Sequence, residues 1–191
     1  MIDPLFFDTD CLSAFLWAQC ESLLAQLYPD RIVIPRVVYT ELSDPRVAHL
    51  KARLDTMLAA GQAVIAEIDV GTGEYNVFYK LTQAPDAGHK IIGDGEAAAI
   101  ALAKGEGGIV ASNNLSEITL YIQEYGLEHT TTGDILVDAY QRSLKTEVEC
   151  NAIWTRMIEK RRKLGAASFS NYLANKSNKT MRGVRTAEHS P

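Results

Sequence analysis

Cysteine is scarce in this chain: Cys11, Cys20 and Cys150 are the three among 191 residues. The count is odd and no pair has zinc-ligand spacing, so neither a disulfide framework nor a thiolate metal site is expected, and the three read as reduced thiols. The four histidines, at positions 49, 89, 129 and 189, form no ligand pattern either. No apolar stretch reaches the roughly 18 residues that a membrane span needs. The first eight residues carry two aspartates and no basic residue, unlike a signal peptide. The expectation is a cytoplasmic protein with no membrane partner. Neither G-x-G-x-x-G nor a P-loop is present, which argues against a nucleotide-phosphate cradle.

What is present suits one globular domain with an extension. Hydrophobic residues make up 47% of the chain, and a chain of this size buries roughly 70% of its unfolded surface without staples. The net charge of −5 hides an asymmetry. From Arg156 to Pro191 there are nine Lys/Arg and two Asp/Glu, a local balance of +7, which leaves −12 for the rest. An acidic body with a basic tail reads either as a solvated helix end and loose tail or as a tail that meets phosphates or an acidic partner.

Short apolar runs alternate with helical patterns. Leu5–Phe7, Ile32–Ile34, Ala63–Ile68, Ile109–Ala111 and Glu128–Thr130 read as strands. Helices are expected from Thr9 or Asp10 to about Tyr28, after Pro35, from Pro45 to Gly61, weakly around Tyr75–Leu81, and over Ala97–Lys104. Others follow at Ser116–Glu124, Asp134–Leu144 and Glu147–Leu164. Strands without polar alternation imply burial on both faces of a parallel sheet, built from right-handed β-α-β units. The fold class is therefore α/β, a three-layer α/β/α arrangement with a short, mainly parallel central sheet. The domain expected over residues 1–145 is followed by a helical extension over 146–173 and a basic, disordered tail over 174–191.

In such a sheet, ligands bind beyond the carboxyl ends of the strands. Asp8 ends the first strand and Asn114 follows the fourth. Glu41 lies on the helix after the second strand. Glu96 lies in the first turn of the helix before the fourth, where the helix dipole favours an anion. Carboxylates gathered there repel one another unless a cation joins them, and a hard divalent ion takes oxygen ligands of this kind. Each residue also has a plainer reading. Asp8, Asp10, Asp94 and Asn114 suit helix caps, Glu41 and Glu117 suit solvated helix faces, and Glu96 suits the dipole alone.

Taken in order, five segments resemble the PIN-domain family, especially its VapC-like ribonuclease toxins. They are Phe6-Phe7-Asp8-Thr9, Ile34 to Leu42, Gly95 to Ala103, Ile109 to Asn114, and Thr131 to Leu136. The resemblance spans about residues 3 to 145. It implies an endoribonuclease dependent on Mg²⁺ or Mn²⁺, with Asp8, Glu41, Glu96 and Asn114 as the catalytic set. Asp8 and Glu96 would be the principal metal ligands, and Glu41 would hold the metal through water or help activate the nucleophile. Asn114 stands where the family usually has aspartate, so it brings no charge and cannot act as a base. Asp10, Asp94, Ser112, Asn113 and Glu117 are the supporting residues around that set. The implied partners are an RNA substrate, a small antitoxin protein and a second copy of the chain as a homodimer.

The rival expectation is a PIN-like module that binds nucleic acid or protein and has lost catalysis at Asn114. A small-molecule phosphatase on a related scaffold lacks any nucleophile motif in this sequence.

Overall fold

The computed structural model describes residues 3–187, with side chains through residue 178. Five strands form one sheet: β1 (Leu5–Phe7), β2 (Ile32–Pro35), β3 (Val64–Ala66), β4 (Ile109–Ala111) and β5 (Glu128–Thr130). Every pairing is parallel and the order is β3-β2-β1-β4-β5. In register, Leu5 faces Ile32 on one side and Ile109 on the other.

Side-chain alternation along each strand divides the core in two. Leu5, Phe7, Ile32, Ile34 and Ala111 point to one face. There they meet α1 (Thr9–Trp17), α2 (Ser22–Leu27), α4 (Ala48–Ala59), α8 (Thr132–Gln141) and α9 (Glu147–Glu159). Phe6, Val33 and Val110 point to the other face, against α5 (Gly73–Thr82), α6 (Asp94–Glu106) and α7 (Leu115–Tyr125). The result is the expected three-layer α/β/α fold. A short helix, α3 (Arg36–Glu41), follows β2.

The chain leaves β1 to build β2 and β3 on one side, then returns to build β4 and β5 on the other. The connections diverge between β1 and β4, the place where an open parallel sheet ordinarily forms a ligand crevice beyond the carboxyl ends of its strands.

Several expectations are corrected in detail. The helix expected up to Tyr28 is two helices, because α1 ends at Trp17 and Gln19 takes a left-handed φ of 54°. The Cys20 N–H then closes back on the Phe15 carbonyl at 3.0 Å, a standard left-handed helix stop. Pro35 ends β2 and precedes α3 rather than opening it. The segment from Pro45 starts as a 3₁₀ turn, Pro45–Val47. Burial on both faces holds for β1, β2 and β4 but not for the edges. Val64 is 58% exposed on β3, and Glu128 and His129 are exposed on β5. The last helix expected over Glu147–Leu164 stops at Glu159.

Beyond it, α10 (Phe169–Ala187) is helical where disorder was expected from residue 174; residues 188–191 of that tail lie outside the described residues. Phe169 is the physical reason for the docking. It is fully buried and its ring lies 6.2 Å from that of Trp154, while Trp154 Nε1 donates to the Ala166 carbonyl at 3.1 Å.

Candidate metal centre at the carboxyl ends of the strands

Asp8 lies directly beyond β1, its N–H donating to the Ala111 carbonyl at 3.0 Å across the gap to β4. It is 1% exposed. Its two carboxyl oxygens have different fates. Oδ1 caps α1 by accepting the Cys11 N–H at 2.6 Å. Oδ2 is buried and has no hydrogen-bond partner. A carboxylate in that position is poorly solvated, and burial pushes the Asp8 carboxyl up to about 8. The nearby Ser112 hydroxyl, which does not meet hydrogen-bond geometry to the carboxyl, and the Cys11 N–H oppose the rise, while the negative charges of Glu96 and Asp10 add to it.

Glu41 is the last residue of α3, exposed at the rim of the crevice. The Thr9 hydroxyl donates to its Oε2, which ties the residue after Asp8 to the second acid. Loss of hydration at the carboxyl end raises its pKa; the Thr9 hydrogen bond opposes this, and Glu96 and Asp94 add to it. The charge of Glu96 thus acts on both Asp8 and Glu41.

Glu96 reaches this field because α6 approaches α1 closely. Gly95 makes the approach feasible: a Cβ there would lie 2.9 Å from Thr9 Oγ1 and 3.4 Å from the Thr9 nitrogen. The Glu96 side chain folds back over Gly93, which precedes the helix. Its Oε1 accepts a long hydrogen bond, 3.4 Å, from Asn114 Nδ2. Gly93, not Asp94, occupies the N-cap, so Asp94 is the first residue of the helix and exposed.

Asn114 stands at the N-cap of α7 but makes no side-chain cap. Its amide instead joins Glu96 to Ser116, whose hydroxyl donates to Asn114 Oδ1 at 3.1 Å. Ser112 is fully buried beside Asp8, and its hydroxyl accepts the Asn114 N–H at 3.2 Å. Asn113 serves the framework. Its Oδ1 accepts the Thr132 N–H and its Nδ2 donates to Thr132 Oγ1, both at 2.9 Å, bolting the end of β4 to the start of α8.

Besides Asn113, two more of the expected supporting residues are engaged elsewhere or make no bond to the other acids. Asp10 pairs with Arg162 at 3.1 Å. Glu117 is exposed on α7 and makes no hydrogen bond or ion pair to the other acids. Thr9 and Thr132 were not singled out by the sequence as site residues, although Thr9 had a signal in its place between two aspartates. The basic run Arg161-Arg162-Lys163 reads in the sequence either as a contact to RNA backbone or as a solvated face; the pairing of Arg162 with Asp10 was not visible, since that partner lies 152 residues earlier.

The donor set is one of oxygens, as Mg²⁺ or Mn²⁺ would require. The buried, unpartnered Asp8 Oδ2 is the atom that a cation would complete. Among the described residues, however, no three acidic, histidine or cysteine side chains converge closely enough to hold an ion as they stand. Glu41 is turned toward Thr9 and Glu96 toward Gly93 and Asn114. Both are long side chains with free rotors, so rotation about their χ angles is the adjustment that loading requires.

Comparison with protein-family models, with curated proteins and with solved structures finds no match to this chain. No described helix is long and apolar enough to cross a membrane.

Proposed function

We propose that this chain is a divalent-metal-dependent endoribonuclease of the PIN-domain kind, cutting RNA phosphodiester bonds at the crevice between β1 and β4. The observation that carries this reading is Asp8 Oδ2: a buried carboxyl oxygen without a partner, at the sheet's switch point, within the field of Glu96. In this reading Asp8 and Glu96 hold Mg²⁺ or Mn²⁺, and Glu41 supports them. When bound, such an ion supplies Lewis acidity toward a phosphoryl oxygen and favours ionisation of water.

The protein's own part is positional. The Cys11 N–H occupies Asp8 Oδ1, which leaves the buried Oδ2 as the uncommitted oxygen. Thr9 holds Glu41 at the rim, where a carboxylate of raised pKa is suited to accept a proton from an attacking water. Asn114 orients Glu96. The same reading includes an antitoxin partner and self-association, which would be tested by co-purification and by solution mass.

A second reading is a binding module without catalysis. One observation favours it: the fourth position offers an amide already engaged with Glu96 and Ser116, so the site lacks a fourth negative charge.

Cleavage of a mixed RNA pool by the purified protein in Mg²⁺ or Mn²⁺ tests between the two, beside Asp8→Asn and EDTA controls. The nuclease reading expects cleavage that requires both the metal and Asp8, and that rises in Asn114→Asp. Absence of cleavage in both wild type and Asn114→Asp would leave the binding module.

A further inference from the structure

A cleft of about 390 Å³ opens beside the candidate metal centre on the α1 side. Thr9 and Glu41, two residues of the centre, form one wall; Ser13, Trp17, Arg46 and Arg162 are among those that complete it. The volume falls in the range of sites that enclose small ligands or one unit of a polymer.

Arg162 is held there by design of the chain. After α9 ends, Arg161 takes a left-handed φ of 58°. The Arg162 N–H then bonds the Met157 carbonyl at 3.0 Å and the Arg161 N–H bonds the Ile158 carbonyl at 2.8 Å. This is the hydrogen-bond pattern of a helix stop whose left-handed position glycine usually fills. An arginine in that conformation is uncommon. The turn sends Arg162 back toward α1, where Nη1 donates to Asp10 Oδ1 at 3.1 Å and to Ser13 Oγ at 3.2 Å, and Nε donates to the Lys160 carbonyl at 3.2 Å. Nη2 makes none of these bonds, and the side chain is 26% exposed. The guanidinium is therefore fixed in place with one donor edge unused. Arg46, the other arginine of the cleft, is 88% exposed and already clasped by Asp44.

A polyanion must approach an edge where Asp8, Glu41, Asp94 and Glu96 repel it, and residues 1–155 carry a balance of −12. A single oriented cation in the adjoining cleft answers that repulsion. A planar guanidinium with a free edge matches a phosphate better than a loose lysine does. We infer that this cleft is an RNA subsite in which Arg162 holds a phosphate flanking the one cleaved at the metal centre, an inference that rests on the ribonuclease reading above.

The test is anisotropy of a short fluorescein-labelled single-stranded RNA of mixed sequence, titrated with the full chain in Ca²⁺ over a salt series. Wild type, Arg162→Gln, Arg162→Lys and Lys163→Gln are compared, with cleavage in Mg²⁺ and thermal melting followed for each. Arg162→Gln is expected to bind roughly tenfold more weakly, to lower the slope of log K against log salt by about 0.7, the value for one single-strand phosphate, and to raise KM with kcat little changed. Arg162→Lys should recover the slope, because it keeps the charge, and Lys163→Gln, outside the cleft, should match wild type. If Arg162 merely ties the C-terminal extension to α1, Arg162→Lys will behave as Arg162→Gln does, since neither keeps the fork on Asp10 and Ser13. That outcome overturns the subsite. Equal binding and slope in wild type and Arg162→Gln, with RNA cleaved by both, overturns the subsite and leaves the nuclease reading standing. Failure of wild type both to bind and to cleave RNA overturns the two together.

Discussion

Asp8 divides its carboxyl group between two tasks. Oδ1 does what an aspartate before a helix ordinarily does, and replacing such a cap costs about 1 kcal/mol. Oδ2 does nothing for the metal-free fold, since it is buried and unpaired, and an unsatisfied buried charge is costly. The consequence is a pH dependence of definite sign. In the unfolded chain the Asp8 carboxyl ionises near pH 4; in the folded metal-free protein burial holds it protonated up to about 8. Between those values the native state binds a proton that the unfolded state has lost, so stability is greatest below pH 4 as far as this group is concerned and declines toward pH 8. Glu41, raised as well, contributes with the same sign. Thermal melts in EDTA across that window should therefore show a downward slope that Asp8→Asn, which keeps the Oδ1 cap, flattens. Added Mg²⁺ should stabilise wild type most at the alkaline end. An identical pH profile in wild type and Asp8→Asn would contradict the assignment. At this scale Asp8, Glu41, Glu96 and Asn114 were visible in the sequence, because each sits at a strand or helix end. Their orientations were not visible. Nothing local tells that Glu41 turns to Thr9, that Glu96 turns back over Gly93, or that Asn113 serves Thr132 rather than the acids.

Between elements, the geometry of the site depends on how closely the start of α6 approaches the start of α1. Gly95 sets that distance. Replacing glycine by alanine inside an exposed helix ordinarily stabilises by about 1 kcal/mol. At Gly95 the added methyl would meet Thr9 Oγ1 at 2.9 Å, and Gly95 is buried. Gly95→Ala is expected to reverse the usual sign, destabilising by about 1–3 kcal/mol in the manner of an overpacked contact. By pushing Glu96 and the Thr9–Glu41 pair apart, it should also lower activity. Chemical denaturation and RNA turnover on the same preparation check both. A stabilised and fully active Gly95→Ala would show that the approach of the two helices is not critical. Element boundaries were less legible than element types. The break at Gln19 and the turn at Arg161 both depend on left-handed residues other than glycine, which carry no composition signal. Tertiary burial of Phe169 anchors the start of α10, which then runs on into the segment after residue 173 whose polar composition reads as loose.

For the whole molecule, the order β3-β2-β1-β4-β5 brings residues from the first ten and from positions 94–114 into one crevice. The alternation of strands and helices made the parallel sheet and its covered faces readable, since parallel strands need right-handed crossovers, but not the order of the strands. The edge strands are the exception: β3 and β5 are short and partly exposed, and a strand's place in a sheet is a property of the whole chain rather than of its own residues. Charge is arranged at the same scale. The acidic body concentrates its field at the strand ends, while Arg162, contributed from far along the basic C-terminal part, folds back beside it. A metal held at Asp8 is the element of this account on which the others depend. Calorimetric titration of Mn²⁺ into metal-free wild type and Asp8→Asn near pH 8 tests it most directly. The account predicts saturable binding with proton release in wild type, and its loss in Asp8→Asn while the fold is kept. Equal binding in the two proteins, or none in either, would contradict it.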